Sequence, residues 1–150
     1  MKISSPAFGD GETIPDRYSQ YGANQSPPLE FSDVPTDAHS LVLIMDDPDA
    51  PRGLVTHCVA FNIAPHSRGF GDNRIPGDVE LGANQHGNAA YMGPKPPDRE
   101  HRYFFHLYAL DTRLELPGGV SRDDVERAMA GHVLATAELM GRFAPPVPAR

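Results

Sequence analysis

Apolar positions concentrate in three runs. Residues 41–45, Leu-Val-Leu-Ile-Met, are uninterrupted and bounded by turn-forming residues, the pattern of a strand covered on both faces. Residues 57–63, His-Cys-Val-Ala-Phe-Asn-Ile, form the second run and close at Pro65. Residues 103–110 form the third. Tyr103, Phe105, Leu107 and Ala109 alternate there with Phe104, His106, Tyr108 and Leu110, so both faces of this strand are largely apolar and it belongs at a sheet centre. Residues 29–31 predict a shorter strand, followed by a turn at residues 32–35. Residues 64–92 have little periodicity and predict long connections with one short strand near residues 78–81. A connection of that length is often functional.

Period 2 gives way to period 3.6 near the end. Val125, Met129, Val133, Thr136, Met140 and Phe143 fall on one helical face. Ser121 is placed to cap, Asp124 stands at the capping-box position, and Pro145 and Pro146 stop the pattern. The spacing therefore predicts one C-terminal helix over residues 121–142, with Gly131 inside it costing about 1 kcal/mol relative to Ala. The tail, residues 145–150, is expected to fray. Strands first and a helix late predict a mainly β, antiparallel β-sandwich with that helix packed near one end, in a single domain over residues 1–150.

Composition narrows the picture. A chain of 150 residues suits one domain and buries roughly 70% of the surface of its unfolded form. Sixteen prolines and fourteen glycines suit a loop-rich β protein. The net charge of −7 argues against nucleic acid, which needs a basic footprint. The single cysteine, Cys58, excludes an internal disulfide and suits a reducing compartment. Its apolar neighbours make it a core residue rather than a nucleophile. The N-terminus lacks the apolar segment of a signal peptide, and no stretch approaches the ~18 apolar residues of a membrane span. A cytoplasmic protein is the expectation.

Candidate chemistry lies in two segments of similar plan. Asp46-Asp47-Pro48-Asp49-Ala50-Pro51 is followed by His57, and Gly93-Pro94-Lys95-Pro96-Pro97 by His101-Arg102-Tyr103. Each sets a stiff loop and a histidine beside a strand, which predicts a small polar pocket at neighbouring strand ends. A carboxylate bonded to an imidazole fixes its tautomer and favours the charged form, so Asp47 is expected to hold His57 as a cation. His57 and His101 would then flank a site for phosphate or carboxylate, with backbone N–H groups of the Gly93 loop as further donors. Asp49 is expected to bond turn amides or to pair with Arg102. One Asp-Pro-Asp turn alone would be only a turn; the repetition of its plan beside a second histidine shifts the balance.

His39, His66 and His86 fall in turns and are expected to be solvated, His106 to be a satisfied core residue, and His132 to lie off the apolar helix stripe. None is a candidate site residue. Metal ligation lacks regular spacing or a second cysteine, so neither a metal nor another cofactor is expected. A Gly-x-Ser-x-Gly elbow and a phosphate-cradling glycine loop are both missing.

These segments, with Asn62-Ile63, Asn24-Gln25-Ser26-Pro27-Pro28-Leu29, Asp33-Val34-Pro35 and Tyr108-Ala109-Leu110-Asp111, resemble the phosphatidylethanolamine-binding protein family, and more closely its bacterial Raf-kinase-inhibitor-like branch. The similarity runs from about residue 8 to about residue 143. It implies a β-sandwich with a small anion pocket at one end, able to take phosphate-type groups such as a phosphoethanolamine head. Its ligand-binding positions here are Asp47, His57, Gly93, Pro96, His101 and Tyr103, with Asp49, Arg102 and Lys95 in support. It also implies a homodimer, and its members are linked to inhibition of kinases or proteases. The chain departs from the pattern where Thr56 and Cys58 flank His57 without the usual aromatic, and where Lys95 replaces a small residue. The expected function is non-enzymatic binding of a small anion, then regulation of a protein partner; the alternative is a hydrolase of small esters or phosphoesters using the same groups.

Overall fold

The three apolar runs form the middle of one sheet. The structure, a computed structural model, describes residues 1–147. Its elements are β1 (Lys2–Ser4), β2 (Leu29–Ser32), β3 (Ser40–Asp47), β4 (Val55–Ile63), β5 (Gly69–Phe70), β6 (Glu80–Leu81), β7 (His101–Leu110), α1 (Arg122–Met129) and β8 (Val133–Phe143). A small sheet has the order β1-β2-β5 and a large one β6-β4-β3-β7-β8, with every pairing antiparallel. This is the expected sandwich.

Alternation along the strands supplies two cores. Leu41, Leu43, Met45, Tyr103, Phe105 and Leu107 face the small sheet and pack with Ile3, Phe31 and Phe70. Val42, Ile44, Val59 and Phe61 face the other way and are covered by Val125 and Met129 of α1. Every residue of β3 is buried, as its uninterrupted apolar run requires. The outer face of β7 is covered less completely than expected, with Phe104, His106 and Tyr108 only half-buried.

Two irregularities in β4 shape the strand end. Leu41 pairs with Ile63 but Leu43 with Ala60, so β4 carries an extra residue there. Asn62 absorbs it at φ +54° and bonds both the N–H and the C=O of Leu114 through its side-chain amide. The second lies at His57. Met45 pairs with Cys58 and Asp46 with Thr56, which leaves His57 as the unopposed residue of a β-bulge.

The long C-terminal helix is corrected. Ser121 does cap α1, accepting from the Asp124 N–H at 3.1 Å, and Val125 and Met129 are buried. But α1 ends at Met129. Gly131 adopts φ +80°, open to glycine at little cost, and the His132 N–H bonds the Met129 carbonyl to close a turn. The chain then returns as β8, paired with β7 from His101↔Phe143 to Leu110↔Val133. The Ala-, Leu-, Glu- and Met-containing run of β8 favours a helix by no more than about 0.7 kcal/mol per residue. Burying Leu139 and Phe143 contributes about 1.5–3 kcal/mol each, and β8 also satisfies the backbone edge of β7. Tertiary packing wins. His132 therefore lies in a turn, bonded to Asp111 at 2.7 Å, and not on a helix. Of the tail expected to fray, residues 148–150 lie outside the described residues.

Candidate functional site

The C-terminal end of β3 separates two carboxylates by the elementary rule that successive strand residues face opposite sides. Asp46 turns outward, where it takes the Arg122 guanidinium at 2.9 Å and His106 Nε2 at 3.1 Å. Asp47 turns inward, toward the face that also carries His101 and Tyr103 from β7. The bulge re-aims His57, which alternation would send outward, onto this same face. Asp47, His57, His101 and Tyr103 thus line one cleft of about 390 Å³. The loop after β3 adds Ala50, Pro51 and Arg52, and the segment before β7 adds Met92, Lys95, Pro96 and Pro97.

Within the cleft the partners are not those expected. Asp47 bonds His101, with Oδ2 2.7 Å from Nδ1, and its other oxygen takes the Asp49 N–H at 2.7 Å. The expected Asp47–His57 pair does not form. His57 Nδ1 lies 2.7 Å from the Met92 carbonyl, which can only accept, so Nδ1 carries the hydrogen and Nε2 the lone pair. Burial depresses the His57 pKa below its ordinary 6.5, outweighing the Met92 bond and the charge of Asp47. His57 is accordingly a neutral ring and not the cation expected. The physical reason is the bulge, which sinks the ring into a dry strand end and offers it a carbonyl in place of a carboxylate.

His101 takes the place beside Asp47 that was expected of His57. Its Nδ1 faces Asp47 and its Nε2 faces Asp98, each at 2.7 Å, so both nitrogens donate. The side chain has no exposed surface. Beside it stands Tyr103, stacked on His101 at 6.4 Å and edge-on to His57 at 5.3 Å. Its buried hydroxyl has no hydrogen-bond partner. Burial, followed by the nearby Asp47 charge, raises its pKa, so it stays protonated.

Two predicted residues support the site from outside. Arg102 bonds Asp49 through Nε at 2.9 Å, Nη2 at 2.8 Å and its backbone N–H at 2.9 Å. The guanidinium bonds hold the Asp49 carboxyl well below the usual range. This staple ties the Asp-Pro-Asp loop to the start of β7. Gly93 does not line the cleft. Its N–H goes to Asn24 Oδ1 at 2.7 Å and its carbonyl accepts from Gln20 Nε2 at 2.9 Å, while the Met92 N–H goes to the His57 carbonyl. The donor expected from Gly93 itself is therefore spent inside the protein.

The cleft also holds residues not singled out from sequence. Gln20, Arg52 and His86 line it, and His86 is exposed in its turn as expected. Asp98 is legible in the sequence only as a carboxylate three residues before a histidine. His106 is no sealed core residue; it lies half-buried between Asp46 and, at 3.4 Å, Glu138. Cys58 is buried and its thiol is pushed up to about 12 by burial, as a core residue should be. Among the described residues no group of three or more His, Cys, Asp and Glu is arranged to hold a metal ion, and no helix is long and apolar enough to cross a membrane.

The neutral state of His57 sets a pH dependence. The unfolded chain binds a proton at this ring before the folded one does, so stability falls as pH drops below about 6.5. Asp49 adds a loss only nearer the ordinary carboxylate range, as pH falls through its depressed pKa. We expect urea midpoints to decline from pH 7 to pH 5, and that decline to be shallower in His57→Gln. Parallel slopes would remove this account.

Among the described residues, two antiparallel sheets, one short α-helix and a cleft at the strand ends define a mainly β protein with an end-on pocket. The family model for phosphatidylethanolamine-binding protein matches residues 4–144, and the chain belongs to that family. A UPF0098 protein of Methanothermobacter thermautotrophicus is 49% identical over 148 residues, covering 95% of this chain and 98% of its own. The crystal structure of a phosphatidylethanolamine-binding protein homolog from Chlamydia trachomatis superposes with a TM-score of 0.92 at 43% identity, over 95% of each chain. YbcL of E. coli, described as a member of the mammalian family, gives 0.87 at 26% identity, over 95% of this chain and 96% of its own.

Proposed function

We propose that the cleft binds a small anionic head group, phosphorylated or carboxylated, without transforming it. The observation that carries this reading is the His101 ring. Asp47 anchors it from beneath, and its Nε2 already holds an anionic oxygen, that of Asp98, at 2.7 Å. The unpartnered Tyr103 hydroxyl supplies a second donor, and Lys95 and Arg52 line the cleft as cations. The hydrolase alternative is less well served. With a carboxylate on each nitrogen, His101 offers no lone pair to take a proton from water, which leaves the Nε2 of the buried His57 as the one ring base it could draw on.

Tyr103→Phe is the clean test, because it removes a hydroxyl that bonds nothing in the protein. Titration calorimetry with phosphate, phosphoethanolamine and acetate should give heat with the wild type for at least one of the three. The ligand whose oxygen takes that hydroxyl should bind about tenfold or more weaker to the variant, since a hydrogen bond to a charged group contributes about 1.5–3 kcal/mol. Equal heats in both proteins, or none between pH 5 and pH 8, would refute the reading.

A further inference from the structure

Two carboxylates grip the His101 ring, and they are not equivalent. The Asp47 side chain is 4% exposed and is fastened a second time by the Asp49 N–H. The Asp98 side chain is 43% exposed and sits in the irregular segment before β7. Any guest that uses the Nε2 hydrogen must first displace one of them, and only Asp98 can leave for water without dragging a strand end with it.

Asp98 is tethered three residues from the ring it occupies. A short tether gives such a group an effective concentration on the order of millimolar or above. A free monocarboxylate offers Nε2 the group Asp98 already provides, and it also loses translational freedom on binding. The exchange then gains nothing at His101. A phosphate-type guest differs in having further oxygens and more charge. One oxygen can replace Asp98 on Nε2, and the added charge draws on Lys95 and Arg52, which line the cleft with His101.

We propose that Asp98 is a specificity-determining residue: its carboxylate occupies the anion position on His101 and shuts out simple carboxylates, so that the cleft admits phosphate-type head groups. This role rests on the anion-binding reading of the cleft and sharpens it. The residue acts by competition and touches the guest only in being expelled by it.

The test compares inorganic phosphate with acetate, by calorimetry, in the wild type, Asp98→Asn and Asp98→Ala. The wild type should prefer phosphate to acetate by about tenfold or more. Asp98→Ala should raise acetate affinity by about tenfold, with a smaller gain for phosphate, so that the preference narrows; Asp98→Asn, uncharged but of similar shape, should fall between. A preference unchanged in both variants, while the wild type binds phosphate, would overturn the role of Asp98 and leave the anion site standing. Phosphate binding that appears only in the variants would make Asp98 a simple plug, and would also overturn the proposal. No binding of either anion to any of the three proteins would overturn both readings.

Discussion

His101→Ala is expected to cost about 3–5 kcal/mol of folding stability and to abolish the heat of phosphate binding. Two consequences of one residue meet here. The ring is wholly buried and both its nitrogens are bonded to carboxylates. When it is removed, Asp98 simply turns to water. Asp47 cannot, because its side chain is 4% exposed at the end of β3. It is left as a buried charge with the Asp49 N–H as its remaining bond, the circumstance in which breaking a buried pair costs most. The loss should therefore be partly recovered in the double variant His101→Ala/Asp47→Ala, which discards the stranded charge along with its partner. Urea denaturation of the two single variants and the double variant checks this. A His101→Ala loss below about 1 kcal/mol, or a double variant less stable than the sum of the singles, would show that Asp47 is not held by this ring.

The parts of this molecule that could be read from sequence are those where one local pattern decides. The three long apolar runs became β3, β4 and β7, because alternation and β-branched content act residue by residue. The Asp49–Arg102 staple was open to reading because a turn carboxylate and a strand-start arginine have few other partners. What sequence did not disclose depends on register. Which aspartate meets which histidine follows from the β-bulge at His57, and a bulge leaves no compositional mark here. Without it, Asp47 and His57 look like natural partners because they flank the loop between two predicted strands. With it, the ring that Asp47 holds is His101, from the strand on the other side of β3. The helix-for-strand error at β8 has a similar origin. Alanine, leucine and methionine are neutral enough that the open edge of β7, distant in the chain from any local cue, sets the outcome. Gly93 stands out in the sequence as a loop residue with donors to offer, but its work is done by the side chain it lacks.

The second large effect belongs to Gly93→Ala, which is expected to destabilise the fold by about 2–4 kcal/mol and to weaken phosphate binding with it. A Cβ at this position would lie 2.2 Å from the Tyr18 carbonyl oxygen, 2.7 Å from Asn24 Oδ1 and 3.0 Å from the Ser19 Cα. Two of these are backbone atoms that cannot rotate aside. The segment around Gly93 is clamped from both sides. Tyr91 Oη donates to the Tyr18 carbonyl, Gln20 donates its backbone N–H to the Pro94 carbonyl, and the Met92 N–H and carbonyl both engage His57. Retreat by enough to seat a methyl group would strain those bonds together, and the His57 ring would lose the carbonyl that fixes its tautomer. Alanine also narrows the unfolded ensemble, a stabilising effect of about 0.4–1 kcal/mol, too small to offset the clash. Gly77→Ala provides the comparison, since a Cβ there meets nothing within 4 Å, and it should leave stability within about 0.5 kcal/mol of the wild type. If Gly93→Ala and Gly77→Ala unfold at the same urea concentration, the close approach at Gly93 does not constrain the cleft wall.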